Sequence, residues 1–225
     1  MTNSKQIKIY TDIMKAEGEW AAKTRQLLAD HKITMYNLIG SPGCGKTALL
    51  EALLPLLAAN RRCAVLEGDV ETDRDAQRLG HLGIPVSQII TSGACHLNAQ
   101  VVHRAVSELP LEELDIIVVE NVGNLVCPSE FDIGETCKLA VLSVTEGEDK
   151  PLKYPLLFRE AGAAVLTKLD LLPHVPFDLD RCLDFIKRVN GELSVFRVSA
   201  LRGEGLDAPA DWMYARSAEP PQPAH

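Results

Sequence analysis

The sequence predicts a single α/β domain, a three-layer α-β-α sandwich around a mostly parallel central sheet. Three observations predict it. Short runs of Val, Ile and Leu, such as Ile33–Ile39 and Asp115–Val119, are continuous rather than alternating, the pattern of strands buried on both faces. Stretches of helical periodicity separate these runs, which is the rhythm of strands joined by crossover helices. The 225 residues fit one large domain or two small ones at ~150 residues per domain, and the absence of any linker or internal repeat selects one, over residues 1–217.

Taken in order, the first 30 residues read as an amphipathic helix, with Ile7, Ile9, Ile13, Met14, Trp20, Leu27 and Leu28 spaced among charges. Ile33–Ile39 is a strand and Lys46–Ala59 a helix. Cys63–Leu66 is a strand, Thr72–Leu82 a shorter helix and Val86–Ile90 a strand. A helix is expected from about His96 to Glu108. The strands Asp115–Val119, Leu139–Val144, Ala163–Leu166 and Ser194–Val198 follow, with helices at Lys153–Glu160 and Leu179–Asn190 among the last three. The tail, residues 218–225 (AEPPQPAH), is Pro-rich and polar and reads as a flexible end.

Composition narrows the function. Hydrophobic residues make up 46% and charged residues 24%, an ordinary globular share that excludes disorder for the bulk of the chain. The net charge is −8 and no basic block stands out, which argues against nucleic acid and anionic membrane as partners. The N-terminus lacks the apolar core of a secretion signal, and no run approaches the ~18 apolar residues of a membrane span. The expected compartment is a reducing cytoplasm, where six cysteines, at 44, 63, 95, 127, 137 and 182, are core residues, redox centres or metal ligands rather than a disulfide scaffold.

The first strand runs into Gly40, Ser41, Pro42, Gly43, Cys44, Gly45, Lys46 and Thr47, a match to G-x-x-x-x-G-K-[ST] in the strand-to-helix context that motif requires. Its glycines let backbone N–H groups converge on phosphate at a helix N-terminus. Lys46 is expected to reach the β- and γ-phosphates and Thr47 to ligate Mg²⁺. The fold class therefore sharpens to a P-loop NTPase. Glu120 closes an apolar strand at its carboxyl end, where open α/β sheets bind ligands, and is the acid expected near Mg²⁺, directly or through water. Asp69 sits at the equivalent end of the preceding strand. Asp75, in the run Glu71-Thr72-Asp73-Arg74-Asp75, is a further Mg²⁺ candidate and the residue expected to orient the attacking water. For Asp69, Asp73 and Asp75 a solvated or helix-capping carboxylate is the alternative. No arginine stands out to act in cis, so slow turnover is expected.

Thr167-Lys168-Leu169-Asp170 resembles the N-K-x-D motif of GTPases, in which the Asp carboxylate accepts guanine N1–H and the 2-amino group. Thr replaces Asn, which alters one polar contact there. Ser199-Ala200 follows the next strand, where GTPases present a backbone N–H to guanine O6. GTP and GDP are therefore the expected nucleotides. Cys95 and His96 are adjacent, and Cys127 lies seven residues beyond Glu120. Two thiols and an imidazole suit Ni²⁺ or Zn²⁺, although their spacing is not that of a zinc finger. Two buried cysteines beside a surface histidine is the alternative. Cys44 is either an inert small residue or an oxidation-sensitive one, and Cys63, Cys137 and Cys182 fall in apolar patterns expected in the core.

The P-loop, E-G-D at Glu67–Asp69, S-G-A-C-H at Ser92–His96, E-N-V-G-N-L-V-C-P at Glu120–Pro128 and T-K-L-D occur here in that order. Together they resemble the HypB family of nickel-delivering GTPases of hydrogenase maturation. The resemblance runs from about Tyr36 to Leu206. It implies a P-loop GTPase that dimerises when GTP binds and delivers Ni²⁺ to nickel–iron hydrogenase. It further implies Cys95, His96 and Cys127 as ligands near the dimer interface, Zn²⁺ as an alternative occupant, and Lys153 approaching the partner subunit's nucleotide, with Lys150 competing for that role. A companion zinc metallochaperone and the hydrogenase large-subunit precursor are the partners it implies. The chain carries neither the C-x-x-C-G-C motif nor the histidine-rich stretch of some members, so nickel storage is not expected. A urease-type nickel GTPase is the nearest rival, but its C-P-H triplet is missing. A metal-binding scaffold with a vestigial GTPase is the rival from another class.

Overall fold

Seven strands form the sheet, and every pair in it is parallel. The computed structural model describes residues 3–69, 74–91 and 93–217, excepting the side chains of 3–13, 69 and 74–76. In chain order the elements are α1 (Asn3–His31), β1 (Thr34–Gly40), α2 (Lys46–Ala58), β2 (Cys63–Asp69), α3 (Arg74–Gly80), β3 (Val86–Ile90), α4 (Ala99–Ser107), β4 (Ile116–Glu120), α5 (Cys127–Glu130), β5 (Cys137–Ser143), α6 (Lys150–Lys153), α7 (Pro155–Glu160), β6 (Ala161–Thr167), α8 (Leu179–Val189), β7 (Ser194–Arg197) and α9 (Asp207–Ser217). Their order in the sheet is β3-β2-β4-β1-β5-β6-β7. The chain leaves β1 toward one edge and crosses back after β4 to fill the other. The strand order thus reverses beside β1, and a crevice opens there at the carboxyl ends of the strands.

The continuous apolar runs follow from burial on both faces. In β4, Ile116 and Val118 join the core beneath α2 and α9, while Ile117 and Val119 join the core beneath α1 and α4. A third cluster packs β5 and β6 against α7 and α8. No helix among the described residues is long and apolar enough to cross a membrane.

Several elements depart from the sequence expectation. The helix expected from His96 begins at Ala99, because Asn98 takes the N-cap and accepts Val101 N–H at 2.8 Å; Cys95 and His96 therefore lie in a loop. The helix expected over Lys153–Glu160 is two short ones, broken at Tyr154 (φ −126, ψ 55), since a residue before proline is pushed out of the helical region. Neither the single-turn helix α5 nor α9 was expected at all. Residues 70–73, which include Asp73, the position Ser92 and the tail 218–225 lie outside the described residues.

Candidate nucleotide site and thiol–imidazole cluster

Between β1 and α2 the chain doubles back, with Cys44 N–H on the Ser41 carbonyl at 3.2 Å. Gly45 precedes the helix with φ 98 and no side-chain cap, a left-handed conformation that glycine adopts freely. The first N–H groups of α2 are thus left without a side-chain acceptor and present a ready site for anionic oxygen. They open onto a cavity of about 380 Å³ walled by Pro42, Gly43, Lys46, Thr47, Glu67 and Glu120 among others. Lys46 is buried, its Nζ donating to the Gly40 and Ser41 carbonyls at 3.3 and 3.4 Å. The Thr47 hydroxyl donates to Glu120 Oε1 at 2.9 Å. That pairing follows from the register, which sets Leu38 of β1 beside Glu120.

Hydroxyl and carboxylate converging in this way make the hard-oxygen set that Mg²⁺ prefers, so Thr47 and Glu120 fit a magnesium ion beside a polyphosphate. Glu67, opposite Glu120 in the β2–β4 register and also buried, lines the same cavity. The sequence reading passed over it in favour of Asp69, two residues on. Asp69 and Asp75 fall within β2 and α3, but their side chains lie outside the described ones. Arg78 of α3 also walls the cavity and is ion-paired with Glu51 of α2 (Nε to Oε1, 2.9 Å).

The other flank of the loop is tied to the two motifs expected to read the base. The Thr167 hydroxyl donates to the Cys44 carbonyl at 2.5 Å, and Lys168 Nζ to the Gly43 carbonyl at 2.6 Å. Asp170 accepts the Ser199 hydroxyl at 2.5 Å, and the turn holding Ser199 and Ala200 is closed by paired hydrogen bonds between Ser199 and Glu204. The structure thus brings T-K-L-D, S-A and the phosphate loop together. Lys153 is not among them: it is exposed and paired with Asp149 at 2.7 Å. Lys150 lies over the Tyr154 ring.

Cys95, His96 and Cys127 place one ligand atom each within 4.8 Å of one another. Cys95 Sγ stands 3.6 Å from His96 Nδ1. Hydrogen bonding with Cys127, followed by burial, pushes the Cys95 thiol up from its ordinary value. Burial pulls the His96 imidazole down, which favours the neutral, ligating form at neutral pH. The set suits a borderline-soft divalent transition metal. By contrast Cys44, Cys63, Cys137 and Cys182 are buried, and burial raises Cys44 and Cys63 to about 11 and Cys182 to about 12.

Cavity and cluster are joined by one segment. Glu120 ends β4 in the cavity, and Cys127 opens α5 in the cluster. Between them Asn121, which also walls the cavity, accepts the Leu97 N–H at 3.4 Å, one residue from His96. Gly123 lies so close to the phosphate loop that a Cβ there would sit 2.8 Å from Pro42 Cα. Asn124 donates to the Cys95 carbonyl at 3.3 Å. Neither Asn121 nor Gly123 was singled out from sequence, because neither residue type announces a role without its neighbours.

Comparison with known proteins places these features in a family. The model described as CobW/HypB/UreG, nucleotide-binding domain, matches residues 34–197. The chain is 45% identical to the hydrogenase maturation factor HypB of Azotobacter vinelandii, over 95% of this chain and 70% of that protein. Among solved structures it is similar to HypB from Helicobacter pylori in complex with nickel, with a TM-score of 0.87 and 33% identity over 93% of this chain and 99% of that one. It is also similar to HypB from Archaeoglobus fulgidus, with a TM-score of 0.84 and 29% identity over 90% and 99%.

Proposed function

The chain belongs to the HypB branch of the CobW/HypB/UreG family of P-loop nucleotide-binding proteins, and from that premise we propose that it is a GTPase coupling GTP binding and hydrolysis to delivery of Ni²⁺ for nickel–iron hydrogenase. The reaction is in-line attack of water on the γ-phosphorus, in which positioning and charge neutralisation do most of the work. Lys46 and the N–H groups of the loop bind the β- and γ-phosphate oxygens. Thr47 and Glu120, with Asp69 and Asp75, hold Mg²⁺, which neutralises charge on those oxygens when bound. Asp75 orients the attacking water. Asp170, held by Ser199, accepts from guanine, and the Ser199-Ala200 backbone completes the base contact.

Cys95, His96 and Cys127 carry Ni²⁺ as cargo, with Zn²⁺ competing for the same donors. The GTP-bound form is a homodimer, in which Lys153 exchanges Asp149 for the partner subunit's nucleotide. Residues 1–217 act as one domain in the cytoplasm, receiving or passing nickel between a zinc metallochaperone and the hydrogenase large-subunit precursor. The observation that carries this reading is the segment from Glu120 to Cys127. It begins on the Thr47 hydroxyl, presses on Pro42 through Gly123 and ends in the thiol–imidazole cluster, so a γ-phosphate that moves its first residue also moves its last.

Linkage then requires that metal and nucleotide alter each other's affinity by the same factor. Nickel titrations with GDP and with a non-hydrolysable GTP analogue, read alongside size determination, are expected to differ roughly tenfold, with the dimer confined to the GTP-like state. GTP is expected to be turned over and ATP not, and Lys46→Ala to abolish turnover. Identical nickel affinity and coordination in both nucleotide states would defeat the coupling.

A further inference from the structure

Two arms meet at the cluster. One is the loop between β3 and α4, which carries Cys95 and His96. The other is the segment between β4 and β5, which carries Cys127. Cys127 opens a single helical turn, and the Phe131 N–H closes that turn on the Cys127 carbonyl at 3.2 Å. The Phe131 ring therefore projects one turn on from a thiol ligand. It lies flat on the imidazole of the other arm, with the Phe131 and His96 centroids 3.9 Å apart and the planes 16° from parallel.

Behind this contact both arms are anchored to α1. Arg25 makes two hydrogen bonds to the Asp132 carboxylate, at 2.8 and 2.7 Å, directly after Phe131. Glu17, eight residues earlier on the same helix, accepts the Ala99 N–H at 2.6 Å, three residues after His96. A helix rises ~1.5 Å per residue, so the two anchors are fixed about 12 Å apart on one rigid rod. Neither the phenyl ring nor the two anchors takes any part in the nucleotide cavity.

We propose that Phe131 is the positioning residue of the Cys95–His96–Cys127 cluster, stapling the imidazole of one arm to the thiol-bearing turn of the other, with α1 as the strut that holds both arms through Glu17 and Arg25. This rests on the metal-binding reading above. The physical reason is preorganisation. A histidine on a half-buried loop loses ring freedom when it binds a metal, and a parallel stack removes that freedom in advance. Residues that orient metal ligands without touching the metal affect affinity about 10- to 100-fold.

The test is titration of the full chain with Ni²⁺ and with Zn²⁺, reading affinity and the thiolate-to-nickel charge-transfer absorption. Phe131→Leu removes the stack while keeping apolar volume, and Phe131→Tyr restores it. Phe131→Leu is expected to weaken nickel at least tenfold and shift the absorption, while melting temperature and nucleotide affinity stay at the wild-type level and Phe131→Tyr recovers both metal readouts. Arg25→Gln, which leaves all three ligands and Phe131 in place, is expected to weaken nickel in the same direction. Wild-type nickel affinity and spectrum in Phe131→Leu overturn the proposal, as does a loss that only follows melting temperature or that Phe131→Tyr fails to recover. Cys95→Ala separates this from failure of the underlying reading: if wild type and Cys95→Ala bind nickel alike, the cluster is no metal site and the staple falls with it, whereas nickel bound through Cys95 but indifferent to Phe131 removes the staple alone.

Discussion

Thr167 occupies the position at which the N-K-x-D motif carries asparagine, and its hydroxyl keeps a tie to the phosphate loop. The hydrogen bond to the Cys44 carbonyl, 123 residues away, is buried and 2.5 Å long. Lys168 adds a second tie to the neighbouring Gly43 carbonyl, so the T-K-L-D turn and the phosphate loop brace each other. Thr167→Val removes the hydroxyl at nearly constant volume and strands a buried carbonyl, a loss of ~1–3 kcal/mol. Thr167→Ser keeps the donor. Titration with a fluorescent guanine nucleotide is expected to show Thr167→Val weakened roughly fivefold or more and Thr167→Ser close to wild type. Equal affinity in all three would mean that the tie does not shape the bound loop. The motif announced a polar residue at this corner, but nothing in the chain itself discloses a partner so distant in sequence.

At the scale of elements, the decisive contact is between the segment after β4 and the loop after β1. Gly123 faces Pro42 with no room for a methyl group, so Gly123→Ala must push the two loops apart, a strain of ~1–3 kcal/mol. Because the same segment carries Glu120 at one end and Cys127 at the other, the wedge is expected to weaken nucleotide and nickel together. Calorimetric titration of each ligand checks this; a variant that only melts earlier, with both affinities intact, would leave the segment a spacer. The strands and the P-loop were legible because period and motif are local properties of the chain. α9 was not, since its sequence DAPADWMYARS has a proline near its start and no clear apolar stripe. It is held by distant contacts instead, with the Tyr36 hydroxyl donating to the Met213 carbonyl at 2.6 Å and Trp212 against Phe196. The start of α4 was misplaced for a related reason: Asn98 outcompeted the apolar pattern as a cap. That shift leaves Cys95 and His96 in a loop, where Phe131 can reach His96.

Across the whole molecule the cysteines sort by depth. Two lie at the rim of the sheet's carboxyl end with His96, while four are buried. Cys44 and Cys63 lie in the core beneath α2, and Cys182, on α8, faces the core shared with α7. Burial holds the first two thiols up to about 11 and the third up to about 12, whereas the same groups ionise near their ordinary value of 9.0 once the chain unfolds. Below pH 9 both states are protonated and the whole contribution to stability is present. Between pH 9 and 11–12 the folded chain retains protons that the unfolded chain has released, so stability falls as pH rises through that window. Urea melts under reducing conditions at pH 8, 9.5 and 10.5 are expected to follow that slope. Cys182→Ala removes one of the buried groups. It is expected to lower stability at pH 8 by leaving a cavity, yet to lose less on going to pH 10.5 than wild type does. Parallel pH profiles for the two proteins would mean that the buried thiols do not set the alkaline limit. Cys95→Ala provides the contrast: its thiol is exposed, and its raised value comes first from Cys127 rather than from the core, so the alkaline slope is expected to survive that substitution.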